Sequence, residues 1–217
     1  MTASTQWHEY WAHRTSPQHR ASTVEHYSQY GAELRVLWHG RRVGRVLEIG
    51  CGDGALYDHL GFDQCRYRGV DFSRAMLECF RARHPQVDAV EADGAGFCDD
   101  SVYDLIFSNG VVQYFDARML DSHLAKARSM LAPSGLLVMA SLPWKRLRAE
   151  FRGGLFTRGA WHWRHWLRTG VGSLRYGDSR WYDFRDVSDP ARRHGFDSLF
   201  HGSMLYPYRF HAVLRPR

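Results

Sequence analysis

The sequence predicts an α/β fold in which a mostly parallel sheet is covered by helices on both faces. Three observations predict it. Short apolar runs alternate with helical patterns between residues 45 and 143, the rhythm of strand–helix–strand units. The first of those runs passes directly into a glycine-rich turn, Gly50-Cys51-Gly52-Asp53-Gly54, where doubly wound folds receive a nucleotide-like ligand. The chain then closes on two strand patterns separated by Tyr206-Pro207, a turn signal with no helix between them.

Taken in order, residues 6–38 read as helical from Trp7, Tyr10, Trp11, Val24, Tyr27 and Leu34, with a break near Ser16-Pro17. Val46–Ile49 is the first strand and Tyr67–Asp71 the second. Ser73 is placed to cap a helix that runs through Met76, Leu77 and Phe80 to about Arg83. Val87–Val90 and Tyr103–Phe107 are the third and fourth strands. A helix from about Ala117 to Leu131 stops before Pro133, and Gly135–Ala140 is the fifth strand. After Pro143 the rhythm breaks. Residues 144–180, rich in Arg, Gly and Trp, read as an insertion. A helix near 184–194 ends on Arg192-Arg193-His194-Gly195, basic residues and then glycine, as a helix C-terminus prefers. The last two strands fall near 196–203 and 206–214.

At 217 residues, with 44 % hydrophobic side chains, the chain reads as one domain with a sizeable core. Its expected parts are an N-terminal helical cap (1–40), a ligand-binding core (41–143), an inserted lid (144–182) and a C-terminal helix with a strand pair (183–217). The N-terminus shows no secretory pattern, and no run reaches the ~18 apolar residues of a membrane span. Cys51, Cys65, Cys79 and Cys98 form no C-x-x-C pair, so they read as reduced thiols of a cytoplasmic protein without a metal site. Charge is uneven: residues 1–143 hold 14 basic and 17 acidic side chains, a net −3, whereas residues 144–217 hold 15 and 6, a net +9. A basic C-terminal part admits nucleic acid as a secondary reading.

Glycine costs backbone order, so three in five positions imply a close approach to the main chain. Gly50 allows the tight turn, Gly52 the approach of a ligand, and Gly54 marks the start of the following helix. Asp71, ending the second strand, is placed to accept hydrogen bonds from ribose hydroxyls. A dinucleotide and S-adenosylmethionine both suit such a turn. The dinucleotide fingerprint is G-x-G-x-x-G, whereas the spacing here is G-x-G-x-G, with Glu48 two residues before the first glycine. A carboxylate there repels a pyrophosphate and suits an ammonium and a sulfonium. Asp93, after the third strand, can take an adenine amino group. Charge and spacing favour S-adenosylmethionine.

Over residues 40–143 the chain resembles the class I S-adenosylmethionine-dependent methyltransferases. Val46–Gly54 resembles the first motif of that family, Val70-Asp71-Phe72-Ser73 the second, Ala92-Asp93-Gly94 the third and Asp104–Val111 the fourth. The resemblance implies a Rossmann-like, seven-stranded sheet with the last strand antiparallel. It also implies a cofactor site of Glu48, Gly50, Cys51, Gly52, Asp71, Phe72, Met76, Asp93, Gly94, Asn109 and Gly110, leaving S-adenosylhomocysteine as product. Glu48 and the glycines would surround the methionine part, with Asp71 on the ribose, Phe72 beside the adenine and Asp93 on its amine; Arg14 or Tyr27 would close over the carboxylate. The chain departs from the family in two places. Ser108-Asn109-Gly110-Val111 stands where members that methylate amide or adenine nitrogen carry Asn/Asp-Pro-Pro-aromatic, and Gln113-Tyr114 stands where many small-molecule members carry histidine.

The expected activity is therefore methyl transfer to the oxygen of a small molecule or a saccharide hydroxyl, anionic acceptors included, without a metal. His165 and His162, in Trp161-His162-Trp163-Arg164-His165-Trp166, are candidate general bases; the plainer reading of that stretch is tryptophans packed on the core with histidines exposed. Alternatives are an RNA methyltransferase and a non-catalytic S-adenosylmethionine-binding protein.

Overall fold

A computed structural model describes residues 21–156 and 179–217. Seven strands form one sheet in the order β3-β2-β1-β4-β5-β7-β6. They are β1 (Arg45–Ile49), β2 (Arg66–Asp71), β3 (Asp88–Glu91), β4 (Tyr103–Asn109), β5 (Leu131–Pro143), β6 (Phe196–Gly202) and β7 (Arg209–Pro216). The pairings from β3 through β5 are parallel, and β7 runs antiparallel to both β5 and β6. The helices are α1 (Ala21–Arg35), α2 (Tyr57–Leu60), α3 (Arg74–Arg83), α4 (Ala117–Met130), α5 (Arg148–Arg152) and α6 (Phe184–Arg193). Among the described residues no helix is long and apolar enough to cross a membrane.

The central strands are apolar runs because both of their faces are covered. Leu47, Ile49, Ile106, Leu137 and Met139 join one core layer, and Val46, Leu105, Phe107, Leu136 and Val138 join the other. That is the alternation a strand imposes on successive side chains. Ser73 caps α3 by accepting from the Met76 N–H at 3.4 Å, and Met76, Leu77 and Phe80 turn inward from that helix. Asp116 caps α4, accepting from the N–H groups of Arg118 and Met119 at 2.8 and 2.9 Å. Gly195, at φ 75°, closes the turn after α6.

Three elements differ from expectation. The helix expected from Gly54 begins at Tyr57 and lasts one turn, to Leu60. Gly54 instead donates to the Cys51 carbonyl at 3.0 Å, and a Cβ on it would lie 2.2 Å from the Phe80 ring; it serves packing. β5 outruns 135–140 because Leu131 already pairs with Tyr103 and the far end goes on to pair with Arg209. β7 starts three residues late because Tyr206–Arg209 is a turn, closed by the Arg209 N–H donating to the Tyr206 carbonyl at 2.7 Å.

Between Met139↔Ala212 and Leu142↔Phe210 the β5–β7 register shifts, leaving one extra residue on β5: a bulge. Within it Ser141 holds φ 63°, a left-handed conformation that non-glycine residues adopt at a cost of about 1–3 kcal/mol. The expected lid at 144–182 falls in large part outside the described residues.

Candidate active site

The carboxyl ends of β1, β2 and β4 meet beneath the glycine turn. The N–H groups of Gly50 and Cys51 both donate to the Val70 carbonyl, at 2.7 and 3.1 Å, stitching the turn to β2. The two glycines differ in what surrounds them. At Gly50 (φ +75°) a Cβ would lie 2.2 Å from Val111, whereas at Gly52 (φ +55°) it would meet nothing within 4 Å. Gly50 is closed by packing, and Gly52 opens onto a cavity of about 540 Å³. That cavity is lined by all of Glu48, Gly50, Cys51, Gly52, Asp71, Phe72, Met76, Asp93, Gly94, Asn109 and Gly110. The structure thus brings the eleven residues of the expected cofactor site to one place. Tyr27 joins them; Arg14, His162 and His165 lie outside the described residues.

One end of the cavity is acidic. Glu48 is 4 % exposed and accepts from the Tyr67 hydroxyl at 2.6 Å. Burial pushes its carboxyl up to about 7, the Tyr67 hydrogen bond pulls it down, and nearby Asp71 adds to the rise. Among the described residues no cation pairs with it, and its Oε1 has no hydrogen bond. Asp71 accepts from the Gly52 N–H through Oδ2 and from the Ser73 N–H through Oδ1, both at 2.9 Å. Burial still holds its carboxyl above the ordinary value, against those two bonds. Asp93 accepts from the Ala95 N–H at 3.1 Å. A buried carboxyl that holds one hydrogen bond, from Tyr67, and has its other oxygen open among the described residues, beside a glycine with open space, fits a ligand that presents an ammonium group; the donor set suits S-adenosylmethionine.

Sequence reasoning missed the other end. Tyr114, Tyr206, Tyr208, Gln113 and Arg209 line it. Tyr30 donates to Asn109 Oδ1 at 2.8 Å, and His26 Nε2 is hydrogen-bonded to the Tyr206 hydroxyl. The signal was available in Tyr206-Pro207-Tyr208-Arg209: a turn into an antiparallel strand beside β5 must lie at the sheet's carboxyl edge, where open α/β sheets bind ligands.

Residues 47–137 match a family model described as a methyltransferase domain. A trans-aconitate 2-methyltransferase of Acidovorax sp. (strain JS42) is 34 % identical over 96 residues, 43 % of this chain and 36 % of that one. A malonyl-[acyl-carrier protein] O-methyltransferase of Ilyobacter polytropus is 30 % identical over 115 residues, 48 % of this chain and 43 % of that one. The matches thus span less than half the length of these curated relatives. Among solved structures, the N-methyltransferase NodS of Bradyrhizobium japonicum, in complex with S-adenosyl-L-homocysteine, superposes with a TM-score of 0.64 at 18 % identity, covering 99 % of both chains; at that identity the likeness is one of fold. Residues 47–137 thus match a methyltransferase domain, and the fold built around them is similar to that of solved S-adenosylmethionine-dependent methyltransferases.

Proposed function

We propose that this chain transfers a methyl group from S-adenosylmethionine to an oxygen of a small acceptor. The observation that carries this is the convergence of the eleven motif residues on one cavity whose acidic end has a buried carboxyl with no cation beside it among the described residues. When bound, S-adenosylmethionine supplies a methyl group already activated by its sulfonium. The chain is left to bind, align and exclude water. Glu48 would take the ammonium, Asp71 the ribose hydroxyls, and Asp93 the adenine amine between Phe72 and Met76. Gly50 sets the turn that presents Gly52, and Cys51 needs only to be small. Asn109 and Gly110 end β4 between the acidic half and the tyrosine-lined half, so the acceptor oxygen would sit beyond them.

Oxygen rather than nitrogen is favoured by Ser108–Val111, which lacks the Asn/Asp-Pro-Pro-aromatic pattern. Two relatives named for trans-aconitate and malonyl-[acyl-carrier protein] also point toward oxygen acceptors. Calorimetry with S-adenosylhomocysteine and with NAD tests the cofactor, and a mass-shift screen for gain of one methyl tests the transfer. Micromolar NAD binding with none for the thioether overturns the reading.

A further inference from the structure

The cavity is charged oppositely at its two ends. Against Glu48, Asp71 and Asp93 at one end stands Arg209 at the other, the sole basic side chain among the described lining residues. Arg209 is held from one side. Its Nη1 donates to the Ser141 carbonyl at 2.6 Å, with longer contacts of 3.3 Å to Ser141 Oγ and to Gln113 Oε1. Its guanidinium lies over the Tyr208 ring at 5.3 Å. Among the described residues no carboxylate is within ion-pairing distance of it, and its Nε and Nη2 have no hydrogen bond.

The supports of this arginine are themselves costly or dedicated. Ser141 keeps its left-handed backbone in the β5 bulge while its N–H donates to His211 Nδ1 at 3.2 Å, which turns its carbonyl toward Arg209. Gln113, 8 % exposed, donates to the Gly110 carbonyl at 2.7 Å with the other end of its amide. The chain Gly110–Gln113–Arg209 therefore fixes the guanidinium relative to the end of β4. A strained residue and a buried amide spent on orienting a half-buried cation that has no counter-ion among the described residues point to an anion from outside. One monovalent, planar cation matches a carboxylate in charge and shape; a phosphate dianion would leave charge uncompensated.

We propose that Arg209, oriented by Ser141 and Gln113, recognises a carboxylate on the methyl acceptor. This rests on the methyl-transfer reading and adds the acceptor's class. The test is calorimetry of malonate, trans-aconitate and benzoate, each against its amide, with and without saturating S-adenosylhomocysteine, on the full chain. The expected result is that at least one carboxylate binds the wild type about tenfold or more tighter than its amide, and that Arg209→Gln loses that preference. Arg209→Lys, which keeps the charge and loses the fork, falls between them and serves if the glutamine variant does not fold. S-adenosylhomocysteine affinity stays at the wild-type value in both variants. The proposal is overturned if no carboxylate outbinds its amide, or if Arg209→Gln or, failing that variant, Arg209→Lys binds the carboxylate as the wild type does. Failure of the wild type to take up S-adenosylhomocysteine overturns the methyl-transfer reading instead, and the arm without it still decides on Arg209.

Discussion

Tyr67 donates its phenolic hydrogen to Oε2 of Glu48 across 2.6 Å, and both side chains are buried under the glycine turn. The pair keeps a carboxyl beside the cavity with one oxygen uncommitted. Because burial raises it to about 7, above the 4.5 of a free glutamate, the native state retains a proton that the unfolded chain has released between those values. The contribution to stability is therefore greatest below about pH 4.5 and is lost as pH rises through 7.

The first prediction follows from that sign. The stability of Glu48→Gln relative to wild type should rise from pH 5 to pH 8, by on the order of 3 kcal/mol. Asp71 shifts in the same direction, so the comparison is made between the two proteins rather than on the wild-type profile. Affinity for S-adenosylhomocysteine should rise over the same range in the wild type, because its ammonium needs the carboxylate, and stay weak and flat in Glu48→Gln. Denaturant melts and calorimetry at three pH values measure both.

The two turn glycines should fail differently. Gly50→Ala drives a methyl to 2.2 Å from Val111 at φ +75°, and overpacking together with left-handed strain should cost roughly 3 kcal/mol or more. Gly52→Ala has open space around its Cβ, so it should cost about 1–2 kcal/mol from the backbone alone. That variant should remain folded and lose affinity for S-adenosylhomocysteine. Equal loss of thermal stability in the two variants would refute this division of labour.

Asp71→Ala removes an acceptor that the N–H groups of Gly52 and Ser73 both use. Cofactor affinity should fall by roughly 1–3 kcal/mol, accompanied by a lower melting temperature, since the turn loses a tie to β2. An affinity equal to wild type would remove Asp71 from the site.

Glu33 connects α1 to the far edge of the sheet. It accepts from His211 Nε2 at 2.9 Å and from the N–H groups of Met204 and Leu205 at 3.1 and 3.2 Å. Burial pushes its carboxyl up, but the hydrogen bonds from His211 and Leu205 outweigh that and hold it below the usual value. Its stabilisation is therefore present above about pH 4.5 and is lost as pH falls further. Glu33→Ala leaves the buried His211 Nε2 and two backbone N–H groups without their acceptor and should destabilise by roughly 1–3 kcal/mol at pH 7, with the deficit shrinking in acid. A deficit independent of pH would show that lost packing, not charge, sets the cost.

The strand–helix core was legible because each of its signals is local. Val46–Ile49 and Leu105–Phe107 announce strands covered on two faces, Ser73 announces a helix start, and Gly195 a helix end. The acidic half of the site lies at the ends of those strands and came with them. The opposite half was not legible because its bonds join distant residues: His26 to Tyr206, Glu33 to His211, Gln113 to Arg209. No window of sequence contains both members of such a pair. The bulge at Ser141 is a register effect between β5 and β7 and leaves no mark in either strand alone. Gly54 misled for a related reason, since its need for glycine comes from Phe80, on a different helix.

The junction at Pro143–Lys145 has a meaning for how such a chain diversifies. Pro143 accepts from the Tyr182 N–H, Trp144 donates to the Tyr208 carbonyl and Lys145 donates to the Tyr182 carbonyl, each at 2.9 Å, and Trp144 and Tyr182 bridge side by side. The polypeptide leaves the sheet and rejoins it at one knot of backbone bonds. The entropy of closing a loop grows only slowly with its length, so insertions, deletions or wholesale exchange between positions 145 and 181 would be absorbed there. The junction is a natural splice point, at which a lineage can trade one cassette for another and leave the pairing of the strands on either side undisturbed.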